Sequence, residues 1–244
     1  MADHTGHTQA AVLPQNRLLA KLPADAQARL RPLLTSVPLH ARQVLHRQGE
    51  PIRHVYFAHG GLVSMVTVLA DGALVEAATV GDGGIVGIDA FFADDAFAVC
   101  EAIVQVPVTG QTADVMRVTD FRQELARRGA FYDAIARYAQ LLHAQVIRLT
   151  ACNARHPVHE RCARWLLTAH DHLHGEEFRL SHEFLAVMLG VRRQTVSLVA
   201  ASFQSAGLIR YTHGRVIVMD RGRLEHMACE CYGALRALAG RLEQ

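Results

Sequence analysis

The spacing of apolar residues changes character several times along this chain. Residues 1–15 show no period and are expected to form a mobile tail. Leu18, Leu19, Leu22, Ala26, Leu30, Leu33 and Leu34 then suggest one or two short helices. From about Val37 to Met116 apolar and polar residues alternate and glycine recurs, as at Gly60-Gly61 and Gly81-Asp82-Gly83-Gly84. Asp71-Gly72, lying between the apolar runs Leu62 to Leu69 and Ala73 to Val80, predicts a hairpin. Many short strands at close spacing predict a compact antiparallel β-roll.

After Thr119, read as a helix cap, the chain runs to Asn153 with Gly129 its only glycine and no proline, which predicts one long helix. Within it Ile135, Tyr138, Leu142, Gln145, Leu149 and Cys152 fall at alternating steps of three and four, the seam of a two-chain coiled coil. Packing of that stripe on the chain's own roll is the alternative. Asn153 to Pro157 reads as a hinge, because proline disfavours helix in the residue before it. Val158, Cys162, Trp165, Leu166, Ala169 and Leu173 then mark an amphipathic helix leading to Gly175. Leu224, Met227, Ala228, Cys231, Leu235, Leu238 and Leu242 mark a final one.

Residues 180 to 210 carry the most information. Ser181 caps a short helix, with Leu180 and Leu185 placed as a hydrophobic staple, and Gly190 stops it. A second helix begins near Arg192, buries Val196, Val199, Ala200 and Phe203, and ends at Gly207. Its free face carries Arg193, Gln194, Ser197, Leu198 and Ala201. Two short helices about a glycine turn, the second with a polar and basic free face, are the pattern of a DNA-reading helix-turn-helix. Leu208 to Tyr211, the turn Thr212-His213-Gly214 and Arg215 to Met219 read as a two-stranded wing. The fold class is thus α+β: a roll over 16–118, a dimerisation helix over 119–153, and a winged helix-turn-helix with its C-terminal helix over 154–244.

Charge agrees with that assignment. Between Arg179 and Arg215 five arginines face one acidic residue, Glu183, so this stretch is +4 while the whole chain is +2. Half of the 244 residues are apolar, enough for a sizeable core. No apolar run reaches the ~18 residues of a membrane span, and the N-terminus lacks the basic start and apolar run of a signal peptide. The expectation is a cytoplasmic protein without a membrane partner. Five scattered cysteines, Cys100, Cys152, Cys162, Cys229 and Cys231, argue against a disulfide framework.

Short helices, a glycine-punctuated roll, a long helix, a hinge and a winged helix-turn-helix, in this order, resemble the Crp/Fnr family of bacterial transcription regulators over nearly the whole chain. The residues that carry the likeness most specifically are Leu180-Ser181, Leu189-Gly190-Val191, Arg193-Gln194-Thr195-Val196-Ser197, Gly207-Leu208-Ile209 and Gly214. The resemblance implies a homodimer on a palindromic site in double-stranded DNA, with RNA polymerase a further partner. It also implies a signal received in the roll and passed to the DNA-binding half. Carried over by position, Arg193 reads guanine through O6 and N7. Gln194 stands where many members have Glu and suits adenine, and Leu198 stands where cyclic-AMP-binding members have a second Arg. Ser181, Thr195 and Ser197 are expected on phosphates, and Arg192, His213 and Arg215 complete the expected DNA-binding set.

The sensor half departs from the cyclic-nucleotide pattern. The effector pocket is expected at Gly87, Ile88, Asp89, Ala98 and Val99, where those members have a Glu for the ribose and an Arg-Ser pair for the cyclic phosphate. Here the three places hold Ile88, Ala98 and Val99, and no arginine lies between Arg53 and Arg117. A phosphate buried without a cation costs several kcal/mol, so no cyclic nucleotide and no other cofactor is expected. An iron–sulfur centre needing several N-terminal cysteines is likewise not expected, since the first is Cys100.

Other constellations are weaker. His40, His46, His54 and His59 raise the alternative of a cupin-like metal enzyme or a metal or redox sensor in the roll, but no His-x-His pair is present. His170 with His174, and His156 with His159, read as solvated faces. Cys229 and Cys231 are placed on a helix where residues two apart diverge, so Cys231 reads as a buried hydrophobe, and Cys152 and Cys162 as somewhat better candidates for a thiol switch. Gly81 to Gly84 lacks the Lys-Ser/Thr of a phosphate loop. No catalytic triad or carboxylate pair is evident, and no enzyme activity is expected.

Overall fold

The computed structural model describes residues 16–106, 112–173 and 177–242. The tail 1–15, and with it the expectation of mobility, lies outside the described residues, as do His174 and Gly175.

Two short helices, α1 (Arg17–Ala20) and α2 (Ala24–Leu30), lead into eight strands: β1 (Thr35–Pro38), β2 (Val44–His46), β3 (His54–Ala58), β4 (Leu62–Val68), β5 (Leu74–Val80), β6 (Ile85–Val86), β7 (Glu101–Val106) and β8 (Thr112–Arg117). They form two antiparallel sheets, ordered β1-β8-β3-β6 and β2-β7-β4-β5. The Asp71-Gly72 hairpin joins β4 to β5. The Leu69 N–H bonds the Ala73 carbonyl at 2.8 Å, and Asp71 Oδ1 accepts from Ala73 N–H at 3.0 Å, the side-chain bond that favours Asp in turns. Between the sheets the roll is filled by its own apolar side chains, among them Val63, Met65, Val80, Val86, Ala102 and Val104.

The helical stretch after the roll is broken. Helix α3 (Val118–Ala126) starts just before Thr119, and α4 (Ala130–Arg155) follows a turn in which Arg128 takes φ 52° and Gly129 an extended backbone. A left-handed residue cannot continue a right-handed helix, so the single helix expected over 119–153 is two. The Arg128 guanidinium lies 4.4 Å above the Tyr132 ring, which fastens the corner. Helix α4 ends at the residue before His156, which adopts the extended conformation (ψ 141°) favoured ahead of Pro157.

The stripe Ile135, Tyr138, Leu142, Gln145, Leu149 and Cys152 is used inside the chain. Ile135 joins the core beneath α1 and α2, Leu142 packs beside the roll, and Gln145 Nε2 donates to Thr79 Oγ1 at 3.0 Å. The coiled-coil reading of that stripe is therefore corrected to the alternative. Periodicity reveals a buried face but not what buries it.

The C-terminal half comprises α5 (Val158–Leu173), β9 (Glu177–Arg179), α6 (His182–Leu189), α7 (Arg193–Ser205), β10 (Ile209–Thr212), β11 (Arg215–Val218), α8 (Arg221–Met227) and α9 (Cys231–Leu242). It shares one apolar core with the outer face of the second sheet: Leu62 and Val66 of β4 pack with Trp165, Leu185 and Leu189. At this junction Glu76 of β5 is 4% exposed, accepting from Trp165 Nε1 at 3.0 Å and from Ser64 Oγ at 2.5 Å. Helix α9 returns along α4.

Candidate nucleic-acid interface

Helices α6 and α7 cross at 108° about Gly190, within the range of helix-turn-helix units. Ser181 caps α6, its Oγ accepting from Phe184 N–H at 3.1 Å, and Leu180 and Leu185 are both buried. Gly190 takes φ 62°, the left-handed conformation that glycine adopts without strain, and its N–H satisfies the last carbonyls of the helix. A further clamp comes from α5, where the buried Arg161 donates through Nη1 to the Leu189 carbonyl at 2.8 Å. Helix α7 buries Val196, Ala200 and Phe203, and this fixes which face is free.

On that free face Arg193, Gln194 and Leu198 are exposed, Leu198 to 74%, a large apolar side chain held out in solvent. Arg193 is the first residue of α7, and its Nε pairs with Glu183 Oε1 at 2.8 Å. Both groups are more than half exposed, so the pair is worth little and is easily exchanged for another acceptor. Arg192 is the exposed N-cap, Thr195 is half-buried, and the Ser197 hydroxyl donates to the Arg193 carbonyl at 3.2 Å while accepting from His182 Nδ1 at 2.9 Å. Ser197 is thus partly occupied within the protein. Ser181 likewise spends its acceptor on the cap, leaving only its O–H for a phosphate.

The wing forms as a hairpin pairing Ile209 with Val218 and Thr212 with Arg215. His213 and Gly214 both take positive φ, 50° and 74°, the combination of a tight two-residue turn. His213 is exposed at its tip, and Arg215 is exposed and ion-paired to Glu177. Glu177 belongs to β9, a third strand paired with β11, and three residues are too few for alternation to reveal it. Nor does spacing single out His182. Its ring lies 4.4 Å from that of Tyr211, whose hydroxyl donates to the Leu180 carbonyl at 2.5 Å, so this pair joins the helix-turn-helix to the wing. Burial, with Arg193 nearby, pushes the His182 pKa down and keeps the ring neutral.

The expected effector residues are not gathered around an opening. Ile88 and Ala98 are buried in the core with Leu19, Phe57 and Phe121, Val99 is 59% exposed, and Gly87 opens the turn Ile88–Phe91. Asp89 is half-buried and accepts from the Val99 backbone, and burial raises its pKa. Ile88 and Ala98 thus serve the core of the roll here, while Asp89 and Val99 stand at its edge. A cavity of about 450 Å³ does open nearby, between the roll, α4, α5 and α9, lined by Thr79, Tyr138, Gln145, His172, Tyr232 and Arg236 among others.

The histidines of the roll do not converge. His46 Nε2 bonds the His54 carbonyl at 2.9 Å, and His59 is held between Thr112 Oγ1 and Asp114 Oδ2, both at 2.8 Å. His170 accepts from Arg221 at 2.8 Å. Cys100 and Cys162 are buried, and burial pushes both thiols up to about 12, away from the reactive thiolate form. No single helix among the described residues is long and apolar enough to cross a membrane.

Comparison with known proteins agrees with this geometry. Residues 36–125 match the cyclic nucleotide-binding domain family and residues 160–227 the Crp-like helix-turn-helix domain family. The transcriptional regulator LdrP of Thermus thermophilus is 29% identical over 197 residues, 77% of this chain and 93% of that protein. Among solved structures, the c-di-GMP-responsive global regulator CLP of Xanthomonas campestris superposes with a TM-score of 0.65 at 18% identity, covering 80% of this chain and 99% of that one. A CRP-family transcriptional regulator from Thermus thermophilus gives 0.64 at 23% identity, covering 80% and 96%. Sensor-domain and DNA-binding-domain matches in this order, on an antiparallel roll followed by a long helix and a helix-turn-helix, identify the chain as a DNA-binding transcription regulator that belongs to the Crp/Fnr family.

Proposed function

We propose that the protein is a homodimer that reads a palindromic DNA site with α7 and answers to a signal other than cyclic AMP. The observation that carries the dimer is the face of α4 turned away from the roll. Gln140, Ala144, Ile147, Ala151 and Ala154 recur there at steps of four and three, exposed or half-exposed, with Ile147 57% open to solvent. Small residues on either side of one large apolar residue suit close packing of two parallel helices. The dimer seam is then this stripe, on the far side of α4 from the one that periodicity marks.

In the recognition helix, Arg193 exchanges Glu183 for guanine, Gln194 faces adenine, and Leu198 meets a thymine methyl. Arg192, Thr195, His213 and Arg215 supply phosphate contacts, joined by the Ser181 hydroxyl and by that of Ser197 once its O–H leaves the Arg193 carbonyl. Such a protein works in the cytoplasm beside the DNA and meets RNA polymerase at promoters, with no enzymatic step of its own. The filled roll supports the exclusion of cyclic AMP: Ile88 and Ala98, at positions expected to hold it, are core residues, and no arginine or lysine occurs between Arg53 and Arg117.

Selection from a random DNA library tests base reading, and gel-shift titration with and without cyclic AMP tests the signal. Inverted repeats with unchanged affinity on adding the nucleotide are expected. Recovery of the TGTGA half-site of the cyclic-AMP receptor, or tightening by cyclic AMP, would overturn the respective part.

A further inference from the structure

The last turn of α4, the hinge and the start of α9 bring four metal-binding side chains together. Cys152, His156, Cys229 and Cys231 have their donor atoms all within 4.8 Å of one another, the one such group of three or more His, Cys, Asp or Glu among the described residues. Cys152 Sγ and Cys229 Sγ are 3.5 Å apart, and Cys231 Sγ lies 3.8 Å from His156 Nδ1. The three cysteines are at most 4% exposed and form a small buried cluster of their own. We propose that these four residues form a structural zinc site that fastens the end of the long helix to the C-terminal helix.

Geometry, orientation and charge each point that way. A tetrahedral zinc with thiolates at about 2.3 Å and imidazole nitrogen at about 2.0 Å separates its ligand atoms by roughly 3.5 Å, close to the distances present. An iron–sulfur cluster spreads its ligands around a core of several atoms, which a group this tight does not enclose. Glu230 holds His156 Nε2 at 3.1 Å, so that ring nitrogen carries the proton and Nδ1 turns its lone pair toward the sulfurs, the carboxylate–histidine arrangement of metal sites. Three thiolates and a neutral imidazole around a divalent ion leave one negative charge. The buried arginines of α5 offset it: Arg164 and Arg161 both interact favourably with an ionised Cys152. On binding, zinc displaces the thiol protons to solvent, so affinity rises with pH.

Helical spacing argues against this pair because residues two apart on a helix diverge. Cys229, however, lies in the turn between α8 and α9, and Cys231 is the first residue of α9. That turn redirects the chain and lets both sulfurs face Cys152, 77 residues away from Cys229 in sequence.

Full-length protein purified under reducing conditions is expected to hold one zinc per chain by inductively coupled plasma mass spectrometry. Cys229→Ser and Cys231→Ser should lose at least tenfold in zinc affinity, while Cys100→Ser keeps it. If those variants do not fold, Co(II) added to metal-stripped wild-type protein decides, since tetrahedral thiolate coordination gives intense visible d–d bands and sulfur-to-cobalt charge transfer. Protein that carries no zinc, takes none up at micromolar concentration and gives a six-coordinate Co(II) spectrum would overturn the site. So would a Cys152–Cys229 disulfide in protein handled anaerobically with reductant.

Discussion

Arg193 is the side chain whose chemistry is most exposed to test. In the free protein it rests on Glu183, an exposed partner that costs little to leave. Arg193→Ala should weaken binding to the specific site by about 1 to 3 kcal/mol and binding to random DNA much less, measured by competitive gel shift. Equal losses on both would remove it from the reading role. Gln194→Glu should exchange a preference for adenine for one for cytosine at the facing position, because a carboxylate accepts where the amide both accepts and donates; repeated library selection reads the change. Arg193, Gln194 and Leu198 are legible as a free face because the opposite side of α7 is so regularly apolar. The partners Glu183 and His182 are not, since they stand on another helix and no spacing rule links them to α7.

Two elements, β5 and α4, lie where the roll meets the C-terminal half. Glu76 of β5 is buried where α5 docks on the roll, and burial lifts its pKa to about 7 against the opposing pull of Ser64, Arg164 and Trp165. A carboxyl whose pKa is raised by folding stabilises the docked state fully below its ordinary value near 4.5. That contribution fades as pH rises through about 7, and amounts to on the order of 3 kcal/mol across the window. Glu76→Gln, which keeps the shape without the titration, should flatten the dependence of melting temperature on pH between 5 and 8 relative to wild type; an unchanged profile would show that the docking does not depend on this proton. For α4, Ile147→Glu should place two charges in the proposed dimer seam and raise the dimer dissociation constant at least tenfold by sedimentation equilibrium. A variant as tightly dimeric as wild type would move the interface elsewhere. Sequence pattern locates α4 correctly and misses its break, because helix propensity is high through Arg127 and Arg128. Nothing local announces that Arg128 turns left-handed to stack on Tyr132.

At the scale of the whole molecule, a chain with a net charge of +2 binds polyanionic DNA because its positive charge is gathered on one unit. The logarithm of affinity should therefore fall linearly with the logarithm of salt concentration, with a slope reporting several phosphate contacts, and Arg192→Ala should reduce that slope by about one. An affinity indifferent to salt would contradict the interface. The α+β order of roll, long helix and winged helix-turn-helix is readable from the sequence by itself, because strand alternation, helical spacing and glycine turns are local consequences of backbone geometry. So is the polar face of α7. Only contacts within the folded chain determine which apolar stripe of α4 is spent on the roll and which stays exposed. The tertiary structure also placed Ile88 and Ala98 in the core of the roll. Above all, it drew Cys152, His156, Cys229 and Cys231 from two distant stretches into one cluster. Each of these turns on contacts between residues far apart in sequence, and periodicity, which records only that a face is buried, carries no information about its partner.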